Sequence, residues 1–575
     1  MDYQPQSADH WFVIQTVLDL PRKLAQWPRF AEVDADLMQQ VLEESGKFVG
    51  EVIAPLNRGG DEQGARWHDG QVTMPDGFRD AYQAFWQAGW PALACDPQDG
   101  GQGLPAVLEA TLYEMLSAAN HGWTMAPGLL HGAYECIKHH ASQELQDLYL
   151  EKVATGEWLA TMCLTEPHAG SDLGLARTKA VPLADGRYAI SGSKIFISGG
   201  EHDLTDNIVH LVLARLPDAP PGPKGLSLFL VPKFDPQGQR LPVHCDRIEE
   251  KMGLHGSPTC AMRFDEAPGW IVGEPGKGLG AMFVMMNAAR LHVALQGIGL
   301  LDAAWQKADA YARERRQMRA PGAKRAGNEA DLIIEHPAVQ RLLHTQRAWV
   351  DGGRWLAYRT ALELDMAKHA TDEASRAAAQ RWCALATPVM KSIFTQQAFE
   401  GSSQCLQVLG GHGYVREWGI EQHVRDARVT MIYEGTNEIQ AIDLLCRKVL
   451  ADGGQGLTEL MRQELTALPR MDADLAQRAE QWSELTRQIA IEQNNRPTLP
   501  FELADDYLRG LGLWMMQLAW CHLACRIDEL PQAQKSRWMS AHRALKRWVL
   551  PRSEEHTSEL QSHLNLVCRL LLEKK

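Results

Sequence analysis

Glu434 lies in the stretch VTMIYEGTNEIQ, where an apolar run gives way to Tyr433, the carboxylate, Gly435 and Thr436. A carboxylate emerging from apolar surroundings has a raised pKa, which suits a general base that abstracts a proton from carbon. The competing reading is an acid at a helix N-terminus with Thr436 as its cap. A second group of residues sits in LTEPHAGSDLG at 164–174 and GSKIFISGG at 192–200, two hydroxyl-rich, Gly-bearing turns at strand ends. Such turns offer backbone N–H and side-chain O–H donors to a pyrophosphate or a ring rich in acceptors; by chemistry alone they could equally be two ordinary β-turns. The third is LQVLGGHGYV at 406–415, whose paired glycines allow a close backbone approach.

These residues need elements to hold them. Over 35–158, apolar residues recur at helical spacing in VLEESGKFVGEVIAPLN, FRDAYQAFWQAGW and LPAVLEATLYEMLSAAN, after an extension at 1–34. Over 159–279 the pattern changes to short β-branched or aromatic runs separated by turns such as PDAPPGPKG. That predicts an antiparallel barrel or sandwich rather than βαβ units. Long helices return over 280–450, and ADGGQGL at 451–457 opens a further helical segment to 551. The predicted fold is mainly α with a central β-domain.

The chain has 575 residues, a formal charge of -14, 45% hydrophobic and 23% charged residues. That composition excludes disordered, collagen-like and coiled-coil classes. The acidic balance argues against a protein that coats nucleic acid. The eleven cysteines form no CxxC pair and no zinc spacing, so no metal site is expected, and a reduced, cytoplasmic setting fits them. Cys521 and Cys525 read as one face of a buried helix. No membrane span and no signal peptide is read. GEPGKGLG at 273–280 has the wrong spacing for a nicotinamide fingerprint, and no P-loop, HExxH or GxSxG occurs.

The tail needs separate treatment. Arg552 to Ser562 resembles the translation of a common short-read sequencing adapter, so 552–575 is read as an artefact. On that reading the natural C-terminus is missing and removal of the tail changes neither folding nor activity. Pattern alone would favour a polar turn followed by an amphipathic helix.

TEPxAGSD, KxFIS, EEKMGLHGS, the paired glycines before Tyr414, RDAR and IYEGTNEIQ stand in one order over residues 35–450. In that order and spacing they resemble the acyl-CoA dehydrogenase family. SGGEHD, HGSPTC and the extra C-terminal helices resemble its longer subgroup, which includes enzymes oxidising 3-methylthiopropanoyl-CoA. The resemblance implies an N-terminal helical domain, a central β-domain and a C-terminal four-helix bundle, acting as a homodimer or homotetramer. It implies FAD bound non-covalently between the β-domain and the bundle, partly by a second subunit. Thr165, Gly170, Ser171, Phe196 and Ser198 match cofactor-binding positions, with Phe196 where many members have Trp. Arg315, Gln407, Gly410, Gly411 and Thr436 match contacts to the cofactor's phosphates and adenosine. Ser171, Asn287, Arg290, Tyr433 and Gly435 match acyl-CoA positions.

Glu434 matches the catalytic base. The implied reaction removes the α-proton of an acyl-CoA thioester while the β-hydrogen leaves as hydride, giving the trans-2-enoyl-CoA. Electrons then pass to an electron-transferring flavoprotein. Two alternatives share the fold. One is a DNA-binding alkylation-response flavoprotein, suggested by cations and interleaved tryptophans over Lys535–Arg552, KSRWMSAHRALKRWVLPR. The other is an acyl-CoA oxidase.

Overall fold

A computed structural model describes residues 2–322 and 330–572, apart from the side chains of 284, 287, 288 and those beyond 562. The chain divides into two compact units. One comprises residues 2–5 and 44–292; the other comprises residues 6–43 and those from Val293 onward.

In the first unit the helices are α1 (Ala35–Phe48, which begins in the other unit), α2 (Phe78–Gln87), α3 (Ala106–Thr124, buried from Val107 onward), α4 (Leu130–His140) and α5 (Gln143–Thr155). Helix α3 breaks at Asn120, whose side chain accepts a hydrogen bond from the Trp123 backbone N–H at 3.0 Å and restarts the turn. The buried Trp123 indole then donates to the Phe78 carbonyl at 3.2 Å and ties α3 to α2.

Seven strands follow: β1 (Leu159–Cys163), β2 (Lys179–Pro182), β3 (Tyr188–Ser198), β4 (Ile208–Arg215), β5 (Leu226–Pro232), β6 (Val243–Ile248) and β7 (Thr259–Val272). Pairings β4–β5, β5–β7, β7–β3, β3–β2 and a single β2–β4 bridge close a ring, so the sheet is a small barrel. Strand β6 adds to β7, and β1 adds to β4. Ile190, Val212, Phe229, Val231 and Phe264 fill the interior. On β3 the buried residues are Ile190, Lys194 and Ile197, and its pairing with β7 shifts register between them. One feature departs from the antiparallel expectation: β1 runs parallel to β4, with Leu159 opposite Ile208. The 164–174 turn and the β2–β3 hairpin intervene, and such a long connection is a crossover, which brings strands together in the same direction.

In the second unit, α6 (Gly278–Glu314, which begins in the first unit), α7 (Pro337–His369) and α8 (Glu373–Leu409) are long helices, followed by α9 (Glu421–Thr430) and α10 (Asn437–Ile442). Beyond them come α11 (Gln455–Thr466), α12 (Ala473–Glu492), α13 (Leu499–Ala524), α14 (Gln532–Ala544) and α15 (Arg552–Leu572). Gly297 packs so closely on α8 that an added Cβ would stand 2.6 Å from the Phe394 carbonyl oxygen. The cysteine pair differs from its reading. Helix α13 ends at Ala524, so Cys521 is half-buried while Cys525 caps the helix and is exposed.

The tail is helical at its start and packs on the second unit. Helix α15 includes Arg552–Ser562, Leu560 is fully buried, and the His556 imidazole pairs with Asp506 at 3.0 Å. Ser553 is buried and accepts a hydrogen bond from Arg478. An adapter-like sequence can still place an apolar residue on one helical face, and this one does. Deleting 552–575 is therefore expected to cost about 2 kcal/mol, the worth of one buried leucine, without loss of the bound flavin. Thermal unfolding of the truncated chain measures it, and an unchanged midpoint would mean that Leu560 contributes nothing.

Candidate active site

The motif turns of the first unit are joined by a buried ion pair. Lys194, on β3, donates to Glu166 Oε1 at 2.8 Å and to the Leu164 carbonyl at 3.0 Å, and neither charged side chain is more than 3% exposed. The Glu166 carboxylate also accepts from the Thr178 hydroxyl at 2.7 Å, the Thr178 N–H at 3.0 Å and the Arg177 N–H at 2.7 Å. Burial by itself would raise its pKa; the Lys194 charge and these donors outweigh that and hold it below the usual carboxylate value. A backbone bond from Ile195 N–H to the Thr165 carbonyl, at 2.9 Å, completes the junction. TEPxAGSD and KxFIS are thus two halves of one structure.

That junction presents a set of donors. Thr165 and Ser198 are half-buried, and Gly170 and Ser171 are exposed. A Cβ at Gly170 would meet nothing within 4 Å, so the backbone there is open to a ligand. At Phe196 the pairing of β3 with β7 slips between Lys194 and Ile197, and Phe196 adopts a φ of 59°. That left-handed conformation is a genuine outlier for a bulky side chain. It leaves the ring 60% exposed beside Ile197, which is buried in the barrel. Strained residues of this kind gather at ligand sites.

Arg290, on α6, is buried. Nearby on the same helix, the His292 ring stacks on Tyr113 with centroids 4.7 Å apart and contacts the Gly128 carbonyl at 3.2 Å. The Asn287 side chain lies outside the described residues.

In the second unit, Glu434 stands on the turn between α9 and α10, with φ values of 55° at Glu434 and 83° at Gly435. Two consecutive left-handed residues, the first of them non-Gly, make a strained turn that its surroundings must hold. Those surroundings are explicit. Lys391, buried in the middle of α8, donates to the Gly435 carbonyl at 2.8 Å and to Asn437 Oδ1 at 3.0 Å. Gln440 donates to the Glu434 carbonyl at 3.0 Å, and the Asn437 amide donates to the Ser392 carbonyl at 3.2 Å. Thr436 is the N-cap of α10, accepting from the Ile439 N–H at 3.4 Å. Tyr433 directs its hydroxyl to Gln296 Oε1 at 2.6 Å, and burial together with the Glu434 charge holds its phenol well above the usual range.

Glu438, one turn on, is exposed, and its own backbone N–H and the Thr436 side chain lower its pKa, so it is an ordinary helix-start acid. Sequence reading missed Lys391, because a lysine in the middle of a long helix carries no motif; a cation in an otherwise apolar helical run was the available signal.

Around the paired glycines, Gln407 ends α8 by accepting the Gly410 N–H, and Gly410 has a φ of 59°. Neither Gly410 nor Gly411 would bring a Cβ within 4 Å of another residue. His412 is held by the Tyr311 hydroxyl at 2.9 Å and stacks on Trp418 at 4.5 Å. Beside them Tyr414 is 86% exposed, and at the end of α6 Met318 is 78% exposed. Of the arginines there, Arg313 pairs with Asp309, Arg319 with Asp331, and Arg316 bonds to the Ala330 carbonyl. Arg315 is exposed and makes no ion pair among the described residues.

The chain matches the family models for the acyl-CoA dehydrogenase N-terminal domain at 36–157, middle domain at 161–267 and C-terminal domain at 276–449. It belongs to the acyl-CoA dehydrogenase family. It is 45% identical over 466 residues to the 3-methylmercaptopropionyl-CoA dehydrogenase of Ruegeria pomeroyi, covering 79% of this chain and 78% of that protein. It is 36% identical over 487 residues to a broad-specificity linear acyl-CoA dehydrogenase of Mycobacterium tuberculosis, covering 80% and 77%. A solved acyl-CoA dehydrogenase from Bacillus anthracis, complexed with FAD, superposes with a TM-score of 0.75 at 20% identity, over 94% of this chain and 91% of that one. At that identity the likeness speaks to the fold. Family membership places the protein among FAD-dependent oxidoreductases.

Proposed function

We propose that the protein oxidises an acyl-CoA thioester to its trans-2-enoyl-CoA, with Glu434 as the base, and passes the electrons to an electron-transferring flavoprotein. The observation that carries it is the strained Glu434–Gly435 turn clamped by Lys391, Asn437 and Gln440. A turn over-determined to this degree fixes one carboxylate against the substrate's α-carbon, which is what proton abstraction from carbon requires. The Glu434 backbone N–H holds the thioester carbonyl and stabilises the charge that develops on its oxygen. The bound substrate excludes water from the carboxylate, which raises its basicity. Tyr433, kept neutral and bonded to Gln296, braces the turn; the family resemblance carries Gly435, Ser171, Asn287 and Arg290 over as contacts to the acyl-CoA.

The residues present fit FAD. Thr165, Ser198, Gly170 and Ser171 offer hydroxyl and backbone donors on open turns, and Phe196 offers an exposed ring. Arg315, Gln407, Gly410, Gly411 and Thr436 offer a cation, an amide, two uncrowded glycines and a hydroxyl for the phosphates and adenosine. When bound, FAD supplies the acceptor for the hydride that leaves the β-carbon. The exposed Tyr414 and Met318 support a second copy of the chain covering them, hence a homodimer or homotetramer. The 45% identity supports 3-methylthiopropanoyl-CoA, or a short linear acyl-CoA, as substrate. No helix among the described residues is long and apolar enough to cross a membrane, and a cytoplasmic setting fits the reading.

Part of the segment behind the DNA-binding alternative is committed within the fold. Trp538 is fully buried, packed on Phe12 and Trp520, and is no stacking platform for bases. Arg537 is committed to Asp9 and Asp351.

The purified protein is expected to be yellow, to release intact FAD on acid treatment, and to bleach under nitrogen with 3-methylthiopropanoyl-CoA or a short acyl-CoA. A colourless protein that cannot be reconstituted with FAD would refute the reading. Bleaching followed by rapid reoxidation in air would instead make it an oxidase.

A further inference from the structure

Within the second unit, the end of α6, the start of α7 and the segment from α14 through Trp548 enclose a cavity of about 840 Å³. That volume lies within the range of small-molecule sites. Two of its lining residues, Arg347 and Arg537, belong to a buried ion network. Arg347 bonds to Asp302 at 2.6 Å, Asp351 at 2.7 Å and Asp9 at 3.0 Å, and Arg537 joins Asp351 at 2.7 Å and Asp9 at 2.9 Å. With Arg354 on Asp302, three carboxylates meet three guanidinium groups, so Arg347 and Arg537 are already matched in charge.

The walls differ. The acid among them, Asp309, is already paired with Arg313 at 2.7 Å. Arg543, Lys546 and Arg547 line the cavity with no carboxylate partner among the described residues; Arg543 bonds only to the Ser540 hydroxyl, at 3.0 Å. His344, between them, has its pKa lowered by burial, by Arg543 and by Arg313, so it adds no charge. Three cations therefore converge on one concavity of a protein whose formal charge is -14. Like charges gathered in this way favour a multiply charged anion. Trp548, half-buried in the wall beneath the Arg547 guanidinium at 5.3 Å, offers an aromatic surface next to them.

We propose that this cavity binds a small phosphate-bearing anion of nucleotide size, its phosphates on Arg543, Lys546 and Arg547 and its base on Trp548. A bounded concavity suits a small polyanion; a duplex would need cations spread along a stripe. The proposal is independent of the reaction assigned above, since none of these residues serves it.

Calorimetric titration of the FAD-loaded, full-length protein at low ionic strength tests it, with tripolyphosphate and ADP as separate probes. Both are expected to bind. Arg543→Glu combined with Lys546→Glu, two exposed positions, is expected to weaken tripolyphosphate roughly tenfold or more, with unchanged flavin reduction by acyl-CoA. Lys546→Gln alone should weaken it to a lesser degree, and Trp548→Ala should weaken ADP while sparing tripolyphosphate. Tripolyphosphate is the deciding probe, because ADP also resembles part of FAD and of CoA. The absence of tripolyphosphate binding, or equal binding by the double variant, would overturn the site. Tighter binding of a 20-base-pair duplex than of tripolyphosphate, lost in the same variant, would overturn it in favour of nucleic acid.

Discussion

Glu434→Gln is expected to lower flavin reduction by acyl-CoA at least 10²–10⁴-fold, roughly the loss of a general base, while FAD and substrate still bind. The amide has the shape of the carboxylate, and the groups that hold the turn act through its backbone: Lys391 on the Gly435 carbonyl and Gln440 on the Glu434 carbonyl. The variant should therefore remain yellow and show a spectral shift on adding acyl-CoA, but fail to bleach. A helix-start acid would behave differently, losing about 0.3–1 kcal/mol of stability and no turnover. Glu438 fills that simpler role, so it does not replace Glu434. Near-normal bleaching by Glu434→Gln in stopped-flow would remove the base from this turn.

Lys194→Met carries the largest expected cost to stability. It leaves the Glu166 carboxylate buried without its cation, a loss of about 3–5 kcal/mol for a broken buried pair, and it loosens both turns proposed to offer donors to FAD. Folded yield and flavin content should fall together. Adding Glu166→Gln should recover part of the stability, because no charge then remains buried; failure to recover any would mean that the pair is not the cause.

The pH dependence has a definite sign. The folded pKa of Glu166 is lowered, so the unfolded chain binds the extra proton and stability rises with pH. The contribution is complete above the ordinary glutamate value of about 4.3 and is lost as pH falls through the lower folded value. Without Lys194 most of that lowering disappears. The difference in melting temperature between wild type and Lys194→Met should accordingly be greatest near neutrality and shrink in acid. A difference that grows in acid would contradict the assignment.

Much of this protein is legible in the residues alone. The period of apolar residues separates helices from strands, because burial of one face requires a period near 3.6 in one and 2 in the other. Glu434, Thr165, Phe196 and Ser198 stand in short motifs whose spacing is local, so they can be found without coordinates. Long-range partnership is not legible. That Lys194 charges Glu166, 28 residues away, and that Lys391 supports a turn 44 residues further on depend on which elements pack together, and a lone lysine carries no mark of either. The parallel pairing of β1 with β4 has the same origin, since it depends on where the crossover after β1 returns the chain to the sheet.

The tail and the Lys535–Arg552 segment show the limit from the other side. Their local patterns, an adapter-like string and cations among tryptophans, did not decide that Leu560 and Trp538 are buried. Sequence determined which residues could do chemistry. Only the tertiary structure decided which charges are paired, which are left to face a cavity, and which strained turn is held rigid, because each of those depends on atoms brought together from distant parts of the chain.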